Sequence, residues 1–365
     1  MERLPAGMAC KEIKVNFKAN CIEIEAKSAL HRLSPLEKRL PYSWDLNVYR
    51  GCGHGCRYCY AVYSHGYICQ REGQRRAEKR DFPGPQKQIS DFFPQSSPEI
   101  SPQVSSSQKC GPVPVSGSFF RDIYVKKNIA GLLERELSSP AWKKELINLG
   151  GVTDSYQSAE RKCRLMPEVL EVLLRHKNPV TISTKSDLVL RDFDLIAELA
   201  ERTRVNVAVT VTTLDEQVRK KLEPGAPDSE RRFSVLEAFS ETKATVGLHM
   251  MPVLPGITDS PENLEGILAR AGEIGVDYAL SGLLFLKGET RTEFMSIIGE
   301  EFPGLLASYK KMYMGGRDDE QYRASLYSEI CRLKAKHGLA EHRLAEHRLV
   351  EHRQAEYRLA GDADF

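Results

Sequence analysis

Six short apolar runs, rich in β-branched residues and separated by stretches of helical spacing, dominate the middle of this 365-residue chain. VNVAVTVTT is the clearest; SWDLNVYRG, ELINLGG, PVTISTKSD, ATVGLHMMPVLPG and DYALSGLLFLKG are the others. Such runs alternating with helices are the mark of a parallel sheet covered by those helices. Among the intervening stretches, one helix is expected from about Asn128 to Leu137. LMPEVLEVLLRHK sets Leu170, Leu173 and Leu174 on one side, and SPENLEGILARAGEIG carries a Ser cap and a Gly stop. The expected class is α/β: a partial (β/α)6 barrel of TIM type, or an open α/β sheet, because eight βα units would need more chain.

The remaining chain sorts by composition. Residues 1–40 read as a charged lead-in with a short strand at most, and 41–316 as the barrel. Within the barrel, residues 70–117 are rich in Pro, Ser and Gln, with prolines from Pro83 to Pro114. That composition buries too little apolar surface to offset its ordering entropy, so a disordered surface insert is expected. Residues 317–338 read as a C-terminal helix, and 339–365 as a tail of pentapeptide repeats, LAEHR, LAEHR, LVEHR and QAEYR. A period of five turns each repeat by about 140° on a helix, so the leucines spiral and form no apolar stripe. His342, His347 and His352 spiral likewise, which makes a metal-binding tail the lesser reading.

The formal net charge is +2, from 52 Lys plus Arg against 50 Asp plus Glu. A generic polyanion binder carries a strong basic excess, so any nucleic-acid contact must be a local patch. The basic run Arg71, Arg75, Arg76, Lys79 and Arg80 is interspersed with acids and reads as a solvated segment. No apolar run is long enough for a membrane span and no signal-type apolar segment opens the chain, so a cytoplasmic location is expected.

Nine cysteines in such a chain are no disulfide framework. Three of them, Cys52, Cys56 and Cys59, are packed into CGHGCRYC. Three thiolates on one short loop can hold three corners of an iron–sulfur cubane and leave one iron open. Gly51, Gly53 and Gly55 permit the backbone angles that wrapping demands. The competing reading is structural zinc, with His54 or His65 as a fourth ligand; no second Cys pair supports it.

With an aromatic residue, Tyr58, just before its third cysteine, the C-x3-C-x2-C pattern resembles the signature of the radical S-adenosylmethionine (radical SAM) superfamily. The blocks LNVYRGCGHGCRYCYA, GGVTDSYQSAER, ISTKSDLVLRDFDLIAELA, TVTTLDEQVRKKLEPGAPDSERR and MMPVLPGITD resemble, in order, its spore photoproduct lyase-like branch. The likeness runs from about Lys27 to about Leu286 and excludes the insert and tail. It implies a [4Fe-4S] cluster on Cys52, Cys56 and Cys59, S-adenosylmethionine on the open iron, and an external electron donor of flavodoxin or ferredoxin type. The implied reaction is reductive cleavage of S-adenosylmethionine to a 5′-deoxyadenosyl radical that abstracts hydrogen from a small-molecule or nucleic-acid substrate.

The same resemblance places cofactor contacts at strand ends: Gly150, Gly151 and Thr153; Thr184, Lys185 and Ser186; Thr210, with Thr212 on its face; and an arginine of the Glu223–Arg232 stretch, Arg232 or Arg231. Tyr58 and Tyr60 are set near the radical. Bland readings stand beside these: a tight turn at Gly150, β-propensity for the threonines, a solvated helix terminus for the arginines and packing for the tyrosines. One departure is informative. Spore photoproduct lyases return a hydrogen atom from a cysteine near the end of the second strand, and Val152 occupies that position here. Cys163 is the nearest replacement by sequence; Cys69 and Cys110 fall at or in the insert. Two alternatives follow: lesion repair on DNA, and a non-enzymatic iron–sulfur or zinc scaffold.

Overall fold

The computed structural model describes residues 19–33, 42–62, 64, 115–314 and 320–339. Its strands are β1 (Asn20–Ile24), β2 (Leu30–Arg32), β3 (Trp44–Leu46), β4 (Tyr49–Arg50), β5 (Asp122–Lys126), β6 (Ile147–Leu149), β7 (Val180–Thr184), β8 (Val205–Thr210), β9 (Thr245–Val253) and β10 (Tyr278–Leu283). β3, β6, β7, β8, β9 and β10 lie side by side in that order and all run parallel, which is the strand set of a partial (β/α)6 barrel. All six fall within the apolar runs of the sequence.

Alternation along these strands decides what each face meets. Val180, Ile182, Val205, Val207, Val246 and Leu248 are fully buried in one core with side chains from the covering helices. Those helices include Leu165–His176, Phe193–Arg202, Ser229–Ser240 and Pro261–Ile274. The last is capped as its sequence indicates: Ser260 Oγ accepts from the Asn263 amide, and Gly275 closes it at φ +80°. The other sheet face carries Asp45, Asn148, Ser183, Asn206 and His249. Asn148 donates to Asp45 (2.8 Å) and Asn206 to the Tyr278 hydroxyl (3.0 Å). Toward the helices the strands are apolar; the opposite face carries most of their polar side chains.

SWDLNVYRG does not form one strand. The chain leaves the main sheet after Leu46 because Asn47 binds across the break: it donates to Asp45 and accepts from the Val152 amide at 3.1 Å. β4 then joins a second, three-stranded sheet, antiparallel to β5, with β1 parallel to β5 on the far side. The described part of the lead-in is woven into both sheets, since β2 pairs antiparallel with β3. Glu136 anchors it, accepting from the amides of Ala29 (2.8 Å) and Leu30 (2.9 Å).

The helix Val115–Arg121 begins just inside the end of the expected insert, and the C-terminal helix spans Glu320–Lys336. The basic run at 71–80, most of the insert and the repeat tail after Leu339 lie outside the described residues. Among the described residues, no helix is long and apolar enough to cross a membrane.

Candidate functional site

The cysteine loop follows β4 and lies over the C-terminal ends of the parallel strands, where residues after β6, β7 and β8 grip it. Thr153 Oγ1 donates to the Gly51 carbonyl (2.6 Å), as does Gln157 Nε2 (2.9 Å). Gln157 Oε1 accepts from the Gly53 amide at 2.8 Å. The Cys52 amide donates to Phe119 O (3.0 Å) and the Arg57 amide to Leu222 O (2.8 Å). At φ +82°, Gly51 has no room for a side chain: a Cβ would stand 2.7 Å from the Phe119 carbonyl oxygen.

Cys52 and Cys56 are buried and Cys59 is half-buried. Burial pushes the Cys52 thiol up to about 12 and raises those of Cys56 and Cys59, with mutual repulsion among the three adding to burial for Cys52 and Cys56. Such thiols ionise only against strong positive charge, which a metal group supplies when it displaces their protons. The donor set fits a cluster: three thiols, a glycine-bearing loop and a nearby cation, Lys185, that favours the Cys56 and Cys59 thiolates. Among the described residues no three His, Cys, Asp or Glu side chains form a site for a single metal ion.

His54 is not poised as a ligand. Its Nε2 lies 3.0 Å from Asp154 Oδ2 and its Nδ1 lies 3.3 Å from the Gly225 carbonyl oxygen. His65 lies outside the described residues.

Tyr58 is buried, and its hydroxyl donates to Glu223. Lys185 Nζ stands 5.8 Å from the centre of the Tyr58 ring. Glu223 also accepts from Thr212 Oγ1 (3.1 Å) and from Arg232 (2.5 Å). Arg232 is fully buried and places its other donors on the carbonyls of Pro227 (2.9 Å) and Thr210 (3.0 Å). Burial alone would raise the Glu223 carboxyl; Arg232 and Lys185 overcome it and hold the group at about 2. Arg232 thus reaches the cysteine loop through Glu223 and Tyr58. Arg231 points outward and pairs with Asp187.

A second carboxylate joins the strand ends. Asp154 accepts from Thr184 Oγ1 (2.8 Å), the Lys185 amide (2.8 Å) and the Tyr156 amide (2.8 Å), besides contacting His54. Burial opposes its charge, yet His54 and these donors keep it at about 2. Ser186 caps the following turn through the Leu188 amide (3.2 Å). Asp154 and Gln157 were not singled out from sequence, although both sit in the quoted block GGVTDSYQSAER; polar residues directly after a strand end were the available signal.

Gly150, at φ +94°, would bring a Cβ to 3.0 Å from the Ser183 and Thr153 carbonyl oxygens, and a Cβ on Gly151 would strike Asp45. Tyr60 is 49 % exposed and its hydroxyl donates to the Gly151 carbonyl at 2.5 Å. Val152 packs against the small core of Cys52, Ala61, Val62, Phe119 and Phe120, as does Cys59. Cys163 packs elsewhere, half-buried against the main core.

Comparison with known proteins agrees with this geometry. The model of the radical SAM superfamily matches residues 131–265. The chain is 31 % identical over 319 residues to an uncharacterized protein of Mycobacterium tuberculosis, covering 87 % of this chain and 81 % of the relative. It is 22 % identical over 246 residues to an uncharacterized protein of Methanocaldococcus jannaschii, covering 67 % and 72 %. Spore photoproduct lyase complexed with dinucleoside spore photoproduct superposes with a TM-score of 0.53 at 12 % identity, over 87 % of this chain and 79 % of that one. At that identity the likeness is one of fold. The protein is a radical SAM enzyme: it belongs to the radical SAM superfamily, and its fold is the partial barrel it shares with spore photoproduct lyase.

Proposed function

We propose that Cys52, Cys56 and Cys59 hold a [4Fe-4S] cluster whose open iron binds S-adenosylmethionine, and that the enzyme abstracts hydrogen from a substrate still to be identified. The observation that carries this is the trio of thiols, two buried and one half-buried, on one glycine-bearing loop fixed at the C-terminal ends of six parallel strands. When bound, the pair supplies one-electron cleavage of a sulfonium carbon–sulfur bond and a 5′-deoxyadenosyl radical. An external flavodoxin- or ferredoxin-type donor supplies the electron.

The protein's own residues bind and orient. Lys185 offsets thiolate charge and offers its ammonium to a carboxylate. Gly150 and Gly151, with Thr153, Thr184, Ser186 and Thr210 at neighbouring strand ends, are the contacts for S-adenosylmethionine. Arg232 is a positioning residue that fixes Glu223, which in turn fixes the Tyr58 ring. Tyr60 borders the open side.

Val152 speaks against repair of spore photoproduct. Its side chain, packed against the small core that contains Cys52, has no S–H to return, and Cys163 packs elsewhere. A zinc scaffold is disfavoured by the engagement of both His54 nitrogens.

The test is anaerobic reconstitution with iron and sulfide, reduction with dithionite, and assay of 5′-deoxyadenosine from S-adenosylmethionine. Wild type should form it, and replacement of Cys52, Cys56 and Cys59 by Ala should abolish both cluster absorbance and product. A reconstituted cluster that never yields deoxyadenosine would establish the scaffold reading instead.

A further inference from the structure

Cys52 and Cys56 are buried, so an electron reaches them through the chain packed on the cysteine loop. The segment Pro224–Pro227 is part of that cover. Gly225 is exposed, and its amide donates to the His54 carbonyl at 2.9 Å. Its carbonyl oxygen lies 3.3 Å from His54 Nδ1. The approach is backbone against backbone: a Cβ on Gly225 would stand 2.2 Å from the Gly53 carbonyl oxygen. The exposed Gly225 thus rests directly on His54, which lies two positions from both Cys52 and Cys56.

The same segment forms one wall of an open polar pocket. His54, Ser158, Arg161, Gly225, Pro227 and Arg231 line it. The Arg161 and Arg231 side chains are 56 % and 51 % exposed and share one carboxylate, Asp187; Arg161 stands off it at 3.9 Å. Two guanidinium groups against one carboxylate leave a local positive excess on a chain of near-zero net charge. Pro224 and Pro227 stiffen the ledge between them. Electron-transfer encounters bury little area and rely on charge complementarity for rate.

We propose that the Pro224–Pro227 ledge, with Arg161 and Arg231 beside it, is the docking surface for a small acidic one-electron carrier protein that reduces the group held by the cysteine loop. This rests on the radical SAM reading above. The carrier's carboxylates face the two arginines, and its redox centre faces Gly225. One electron passes inward for each S-adenosylmethionine cleaved, and the carrier leaves oxidised by one electron.

The experiment compares two reductants on the full-length reconstituted enzyme. Dithionite is small and needs no docking surface; reduced flavodoxin is an acidic carrier and serves as the probe. In the Arg161→Glu/Arg231→Glu variant, flavodoxin-driven deoxyadenosine formation should fall by about tenfold or more at low salt, the scale of electrostatic steering. Dithionite-driven formation should stay within about twofold of wild type, as it would for a folded protein whose cluster site is intact. Added salt should slow the wild type with flavodoxin and speed the variant, whose glutamates repel the acidic carrier. Equal losses with both reductants, or no loss with flavodoxin, would overturn the assignment. So would a wild type that dithionite drives and flavodoxin does not, with the radical SAM reading left standing. A wild type that neither reductant drives would overturn that reading and this one with it.

Discussion

Glu223 and Arg232 are the residues whose part is least visible in the sequence. In EPGAPDSERR they read as a solvated loop and helix start. Folding buries both side chains completely and ties them to each other and to Tyr58. A buried ion pair contributes little net stability compared with an apolar pair, but removal of one partner strands the other's charge. Arg232→Met should therefore cost about 3–5 kcal/mol in urea unfolding of the apoprotein. The double variant Glu223→Gln/Arg232→Met should recover part of that loss. A loss under about 1 kcal/mol in the single variant would show that Lys185 suffices as the counter-ion of Glu223. The cysteines stand at the opposite extreme. Their spacing alone predicts their grouping, because eight residues of chain cannot carry them far apart.

Among elements, the regular ones follow their local pattern. The six strands fall where the β-branched runs lie, and the helix Pro261–Ile274 starts and stops at its cap residues. The irregular ones follow contacts made across the chain. β4 leaves the main sheet through Asn47, whose partner Val152 is over a hundred residues away. The Pro224–Pro227 segment owes its place to the cysteine loop, itself over 160 residues earlier. A Gly225→Ala substitution puts a methyl group into the Gly53 carbonyl and must lift one segment off the other. A strain of about 1–3 kcal/mol is expected at that contact. It should appear as a lower iron content after reconstitution, with the far-ultraviolet circular dichroism of the apoprotein unchanged. Full iron content in the variant would mean that the two segments separate without effect on the loop.

At the scale of the whole molecule, the barrel is an open arc whose exposed first edge is covered by the lead-in. β2 extends the sheet beyond β3, and β1 completes the smaller sheet on β5. Glu136 fixes this arrangement through the amides of Ala29 and Leu30. Glu136→Ala leaves both part-buried amides without that acceptor, and should cost about 1–3 kcal/mol per unsatisfied group. Thermal unfolding is the measurement, and an unchanged midpoint would show that the lead-in is not coupled to the barrel. The α/β class, the number of parallel strands, the cysteine loop and, through resemblance, the superfamily are all legible in the chain. All of these depend on periodicity or on neighbours in the chain, which local physics encodes directly. Folding adds that Asp154 joins the strand ends, that Arg232 acts through Glu223, and that His54 is held by Asp154 and Gly225. Each of those depends on burial and on partners distant in sequence, where the same residue types, left exposed, would carry no such meaning.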